Sequence, residues 1–413
     1  MKRWVALLAA ATLAFVLFGC AGGGDNTGSP GGAGSSGSPG AAGKTYTLKV
    51  WAAQDDQDIT QKLINDFKAA NPDNTYNITL SVVGEDRAYT TYSEDPSAAA
   101  DIFYFANDQL RSFVNAGGLY EVTRNKDAII NRNLPASIEA ATLDGKLWAY
   151  PATADNGYFL YYDKSILSAD DVKTLDGMVA KADAQGKKIY MDVSNGWYIA
   201  SFFFGAGGQL GRDEDGVPYC DFNNAKGLAA AEAIKTFTAS SAFLTGDDGL
   251  FKGGLGSTVA AGVSGTWNAS DIKGILGDNY AAAKLPTFTL DGVQTQMSSF
   301  SGYKMVGVNS LTSADNAPAA FDLADFLTNE NSQIERFTAR NLGPSNTNAM
   351  ANPAVKDESL DALAEQNKFA IVQNNVPDNY WDPAGAFGET LEAKDYSMPL
   401  QDMLDAMVAK IVS

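Results

Sequence analysis

Aromatic rings and polar side chains recur together in this chain where an apolar run has just ended. Phe105 closes the run 102–105, and Asp108 follows three residues on. Asn195-Gly196-Trp197-Tyr198 reads as a Gly-flanked loop after the run 189–193, and Trp267 follows the run 259–263 through Ser264-Gly265-Thr266. Asp55 and Asp56 stand in the same relation to Leu48, Val50 and Trp51. Flat rings offer stacking surface, and the carboxylates and amides beside them hydrogen-bond hydroxyl groups, which is the chemistry of a binding cleft. Bond-making chemistry is restricted by what is missing. The 413 residues contain no histidine, so Ser-His-Asp and Cys-His sites and His-ligated zinc are excluded. No metal and no cofactor is expected. The only cysteines are Cys20 and Cys220, and Cys220, in the alternating stretch Pro218-Tyr219-Cys220-Asp221-Phe222, reads as a buried inert thiol.

The elements that must position these residues are those of an α/β chain. Leu48, Val50 and Trp51 predict a strand. Asp58 is expected to cap a helix, with Gln61 three residues on and Ile59, Leu63 and Phe67 along one face, ended by Asn71-Pro72. Ile78, Leu80 and Val82 alternate as a second strand, and 102–105 is a continuous apolar run suited to a buried parallel strand. Ligands of such sheets bind beyond the carboxyl ends of the strands, which makes 52–56 and 106–109 site candidates. Farther on, 189–193 and 259–263 predict strands and 223–238 a helix. One long helical stretch is expected over 317–340 and a last helix over 400–412. No solenoid repeat, GxGxxG or phosphate-binding GxxxxGK[ST] motif occurs.

The N-terminus carries a different signal. Lys2 and Arg3 precede an apolar run, 4–18, too short to span a membrane comfortably but suited to a secretory leader. Leu17-Phe18-Gly19-Cys20 resembles the bacterial lipobox, which implies cleavage before Cys20 and lipidation of its thiol. Residues 21–43, almost entirely Gly, Ser, Ala and Pro, then read as a flexible tether reaching roughly 25–30 Å. The expected location is the extracellular face of the cell membrane. A net charge of −19 argues against nucleic acid and against direct adsorption to anionic lipid. With 45% hydrophobic residues, the rest of the chain is long and apolar enough for two domains.

The order of several segments resembles one family. Leu48-Lys49-Val50-Trp51 with Gln54-Asp55, Asp101-Ile102-Phe103-Tyr104-Phe105-Ala106-Asn107-Asp108, Asp144-Gly145-Lys146-Leu147-Trp148-Ala149-Tyr150-Pro151, Tyr161-Tyr162-Asp163-Lys164, Ser264-Gly265-Thr266-Trp267 and Leu285-Pro286 are together similar to the sugar-binding subunits of ABC importers, in the maltose/maltodextrin-binding branch. The resemblance runs from about Tyr46 to the C-terminus. It implies an α/β fold of two lobes with three crossovers and a ligand in the cleft between them. One lobe would hold 46–154 and 300–344, the other 155–299 and 345–413, after a leader (1–19) and an anchored linker (20–45).

A neutral oligosaccharide presents apolar C–H faces and hydroxyl rims, so its cleft interleaves rings with Asp, Asn and Arg. Carried over, Phe105 replaces a stacking Trp, Asp108 and Asp155 are acids of the site, and Asp55 lies at its edge. Asn195 stands where the family has a glutamate, beside the retained rings Trp197 and Tyr198. Trp267 is the second lobe's stacking ring. Another ring is expected near Tyr380, Trp381 and Phe387, with the choice among them open. Asp56 stands where the family has a lysine. The expectation is a binding protein and not an enzyme: a monomer that hands an oligosaccharide, maltose or maltodextrin first, to a permease. Another oligosaccharide or glycoside is the alternative. An extracellular glycosidase using Asp108 and Asp155 is a weaker one, and a surface adhesin or a metal- or siderophore-binding subunit weaker still.

Overall fold

The computed structural model describes residues 43–213 and 216–413; the expected lipobox at Cys20 and the expected tether, up to Ala42, lie outside them. Eleven strands build two main sheets: β1 (Thr45–Ala52), β2 (Thr75–Val82), β3 (Ile102–Ala106), β4 (Tyr150–Gly157), β5 (Phe159–Asp163), β6 (Lys188–Tyr190), β7 (Phe243–Leu244), β8 (Val259–Ser264), β9 (Tyr280–Ala283), β10 (Ser299–Val308) and β11 (Ala370–Val372). The first sheet runs β11-β10-β3-β1-β2, with β4 also paired to β10. β1 is parallel to both β2 and β3, as the apolar runs predict, while β10 lies antiparallel to β3. The second sheet runs β7-β6-β8-β5-β9, with β8 parallel to β6 and antiparallel to β5.

Each sheet has its own core, and two long strands serve both. Tyr150 and Ala152 of β4 join the core of the first sheet, while Tyr158, just past its end, joins that of the second. In β10, Phe300 belongs to the second core and Met305, Val306 and Val308 to the first. Near-continuous burial along both strands, with residues in both cores, makes them the passage from one core to the other.

Three local expectations are corrected. Asp58 does not cap its helix: helix Gln57–Ala70 begins one residue earlier, and Asp58 sits in the first turn, where a carboxylate favours the helix dipole. The stretch 317–340 is two helices, Ala317–Leu327 and Glu330–Arg340. Thr328 bonds its hydroxyl back to the Ala324 carbonyl at 2.9 Å, and the Asn329 side chain accepts from Ser332 N at 2.9 Å, so one chain of side-chain bonds ends a helix and caps the next. Asn195-Gly196-Trp197-Tyr198 is a helix start rather than a loop. Asn195 accepts from Trp197 N at 2.9 Å and caps helix Gly196–Gly205.

Candidate functional site

Trp267 stands in a turn shaped for it. β8 ends at Ser264, whose hydroxyl accepts from Asn268 Nδ2 at 2.9 Å, and Tyr161 donates its OH to the Gly265 carbonyl at 2.9 Å. A Cβ on Gly265 would lie 2.0 Å from Cζ3 of Trp267, so only glycine lets the indole fold back over its own turn. Trp267 Nε1 donates to Asp248 at 3.3 Å, which fixes the ring's rotation. Trp197, on the first turn of its helix, places its ring 5.7 Å from that of Trp267, and both indoles remain partly open. Behind them, Tyr158 and Tyr198 pack edge-on against Trp197 at 4.6 and 5.2 Å.

Polar groups tie these rings to the opposite lobe. Trp197 Nε1 donates to Gln373 Oε1 at 3.0 Å, and Gln373 Nε2 donates to Asp108 at 2.9 Å. Burial pushes the Asp108 carboxyl up to about 7, against the Gln373 hydrogen bond and with help from Asp378 and Asp86. Asp155, 2% exposed, accepts through Oδ2 from Thr266 Oγ1 at 2.6 Å and from Gly343 N at 2.5 Å. Arg340 donates to the Trp267 carbonyl at 3.3 Å and to Asp56 at 3.1 Å, and pairs with exposed Asp55 at 3.4 Å.

Beneath them lies a buried charge network. Arg336 donates to Tyr104 OH at 2.5 Å and to Asp56 at 3.4 Å. Burial works to raise the Asp56 carboxyl, but Arg336, Lys304 and Arg340 outweigh it and hold it below the usual carboxylate range. Burial pushes the Tyr104 hydroxyl up to about 12, so it stays protonated.

Thus Trp197, Trp267, Asp108, Asp155 and Asp55 come together, with Tyr198 supporting from below and Asn195 at the helix start. Two predicted rings do not join them. Phe105 is fully buried against Phe103 and Phe113 at 6.1 and 5.0 Å, because a strand inside a sheet directs this ring into the lobe's core. Phe387 is buried against Phe203 at 6.0 Å. Of the remaining candidates, Tyr380 is fully buried and donates its OH to the Gly196 carbonyl at 2.7 Å, while Trp381 keeps part of its ring open.

Gln373, Arg336, Arg340, Lys304 and Asp248 were not found by sequence reasoning. Lys304, a lone charge inside the strand Ser299–Val308, and the i,i+4 pair Arg336/Arg340 were the signals available. Cys220 is half-buried with its thiol pushed up to about 12 by burial, as an inert cysteine requires. Among the described residues no acid or cysteine cluster suits a metal ion, and no helix is long and apolar enough to cross a membrane. A hollow of about 730 Å³ between helices Leu175–Ala184 and Ala225–Ala239 shares no residue with this group.

The family model for bacterial extracellular solute-binding proteins matches residues 62–362. No curated protein matches the chain. Among solved structures, a maltodextrin-binding protein (MalE1) of L. casei BL23, without ligand, is 31% identical with a TM-score of 0.75, covering 89% of this chain and 99% of its own. A chain solved with acarbose is 29% identical with a TM-score of 0.81, at the same coverage. The maltose/maltodextrin-binding domain MalE of Bdellovibrio bacteriovorus, bound to maltotriose, is 16% identical with a TM-score of 0.76, covers 88% of this chain and 98% of its own, and speaks to the fold alone. With most of its length matching that family and two sheets joined by shared strands, the chain belongs to the bacterial extracellular solute-binding proteins.

Proposed function

We propose that this protein is the lipid-anchored binding subunit of a carbohydrate ABC importer, capturing maltodextrin-type oligosaccharides by closure of its lobes and handing them to a permease. The observation that carries the reading is the pair of partly open indoles, Trp197 and Trp267, 5.7 Å apart and bracketed by Asp108, Asp155 and Arg340. A pyranose offers the flat C–H face those rings need and the hydroxyl rim those side chains need. Ligands of the structural relatives fall in the same class. The proposed lobes divide near residues 154, 299 and 344. Asp55 at the edge and Trp381, with its open ring, complete the proposed wall.

The function is capture and release, with no bond broken. Asp155 already accepts two hydrogen bonds on one oxygen, an arrangement suited to holding a hydroxyl rather than attacking a glycosidic bond. Tethered at the membrane, the protein needs only micromolar affinity, about −8 kcal/mol, to supply a transporter. Calorimetric titration with maltose, maltotriose, maltotetraose and β-linked cello-oligosaccharides tests the reading. Micromolar binding of the α-linked series without new reducing ends is the expected result. Binding of β-linked sugars alone would replace maltodextrin by another glycan, and new reducing ends would make the protein a hydrolase.

A further inference from the structure

Lys304 is a buried charge that faces carboxylates without reaching hydrogen-bond distance of its ion-pair partner, Glu85. It interrupts an otherwise mostly apolar strand, β10, and is 9% exposed. An ammonium carries three donors. Among the described residues this one has a single charged contact, Glu85 at 3.6 Å, beyond hydrogen-bond length, and lies 5.9 Å from the centre of the Trp267 ring. Burial works against its charge, but Glu85, Asp56 and Asp155 outweigh burial and hold it above the ordinary lysine range. It is therefore charged at neutral pH, with no protein group at hydrogen-bond distance from its ammonium among the described residues. Burying a charge without hydrogen-bonding it costs free energy that another group must offset.

Complementary acceptors stand beside it. Lys304 pairs with Thr153 across β10 and β4, and Asp155 lies two residues along in an irregular stretch of that pairing, close enough for its charge to act on Lys304. Asp155 Oδ1 and Thr153 Oγ1 are both buried without a hydrogen-bond partner. That ammonium and those two oxygens thus meet on one strand pair, with Trp267 and Thr266 of the other lobe covering them.

We propose that Lys304 is a direct ligand-binding residue, its ammonium forming with Asp155 Oδ1 and Thr153 Oγ1 the polar floor that reads adjacent hydroxyls of the sugar ring stacked on Trp267. This rests on the carbohydrate reading above. Parting the lobes moves Trp267 and Thr266 away and uncovers the floor, and the sugar hydroxyls then hydrogen-bond the ammonium and the two oxygens. The cation that meets the sugar then comes from the strand joining the lobes, while Asp56, where the family carries a lysine, serves as counter-charge.

The test compares wild type, Lys304→Met and Lys304→Gln by calorimetry with maltotriose and by melting without ligand. Lys304→Met should melt below wild type without ligand, since buried Glu85 and Asp56 lose a cation, yet the folded variant should bind maltotriose at least thirtyfold more weakly, a loss that lowered stability alone does not give. Lys304→Gln, which keeps a donor, should recover part of that loss. Should Lys304→Met fail to fold, reductive methylation of wild type with formaldehyde and cyanoborohydride, read by peptide mass spectrometry, decides. Saturating maltotriose should suppress labelling of Lys304 at least fivefold, and unchanged labelling would overturn the proposal. Wild type that binds while Lys304→Met binds within threefold of it would overturn this inference alone. Wild type that binds no oligosaccharide would overturn both readings together.

Discussion

Replacing Trp267 by alanine separates a binding ring from a structural one. The indole is partly covered by its own turn and by Trp197, and its Nε1 donates to Asp248 at 3.3 Å. A fully buried Trp changed to Ala costs about 3–5 kcal/mol through lost burial and a cavity. A partly open ring should cost the ligand-free protein roughly half of that, because part of its surface already meets water. The Arg340 bond is made to the backbone carbonyl of residue 267 and survives the substitution. Affinity should suffer more. If a sugar covers about 50–100 Å² of the ring, burial at about 25 cal/mol per Å² gives roughly 1.2–2.5 kcal/mol. That corresponds to a Kd raised about eight- to seventyfold. Calorimetric titration with maltotriose and differential scanning calorimetry on the same preparation read the two quantities. A variant that loses the full core value of stability yet binds within twofold of wild type would refute the reasoning and make Trp267 a core residue.

Gly265→Ala should reproduce most of the binding loss with the indole still present, because the added Cβ would lie 2.0 Å from Cζ3 and displace the ring; near-UV circular dichroism would report the shift. Asp108→Asn tests the raised carboxyl: its folded pKa, about 7, exceeds that of an unfolded aspartate, so the protonated acid favours the folded state. Wild-type stability should therefore fall as pH rises from about 4 to 7, by up to about 1.4 kcal/mol per unit from this group, and the variant should lack that slope in denaturant titrations. Arg336→Ala leaves Asp56 and Tyr104 without their buried partner and should destabilise the protein by about 3–5 kcal/mol in urea unfolding, with part of the loss recovered in Arg336→Ala/Asp56→Ala.

The parts of the site legible in the sequence are those made by consecutive residues. Alternation in β2, and the apolar runs of β1 and β3, specify a parallel start because each local pattern fits one kind of burial. Trp267 could be singled out because Ser264-Gly265-Thr266 ends a strand and leaves the ring little room inside the sheet. Phe105 shows the limit of this reasoning. A phenylalanine ending an apolar strand looks the same whether its ring turns into the core or into a cleft, and here Phe113, eight residues on, takes it inward. Asn195 looked like a loop residue because side-chain capping depends on backbone angles that composition does not reveal. Gln373, Arg340 and Lys304 reach the site from segments far along the chain. Only the antiparallel register of β10 against β3 and β4 brings Lys304 beside Thr153.

The central claim is that a sugar ring is held against Trp267 and Trp197 between the two lobes, and a crystal structure of the protein with maltotetraose tests it most directly. The account predicts a pyranose stacked on Trp267, its hydroxyls within hydrogen-bond distance of Asp155 and Lys304. Sugar bound elsewhere on the protein, or both indoles left uncovered by a bound sugar, would contradict it.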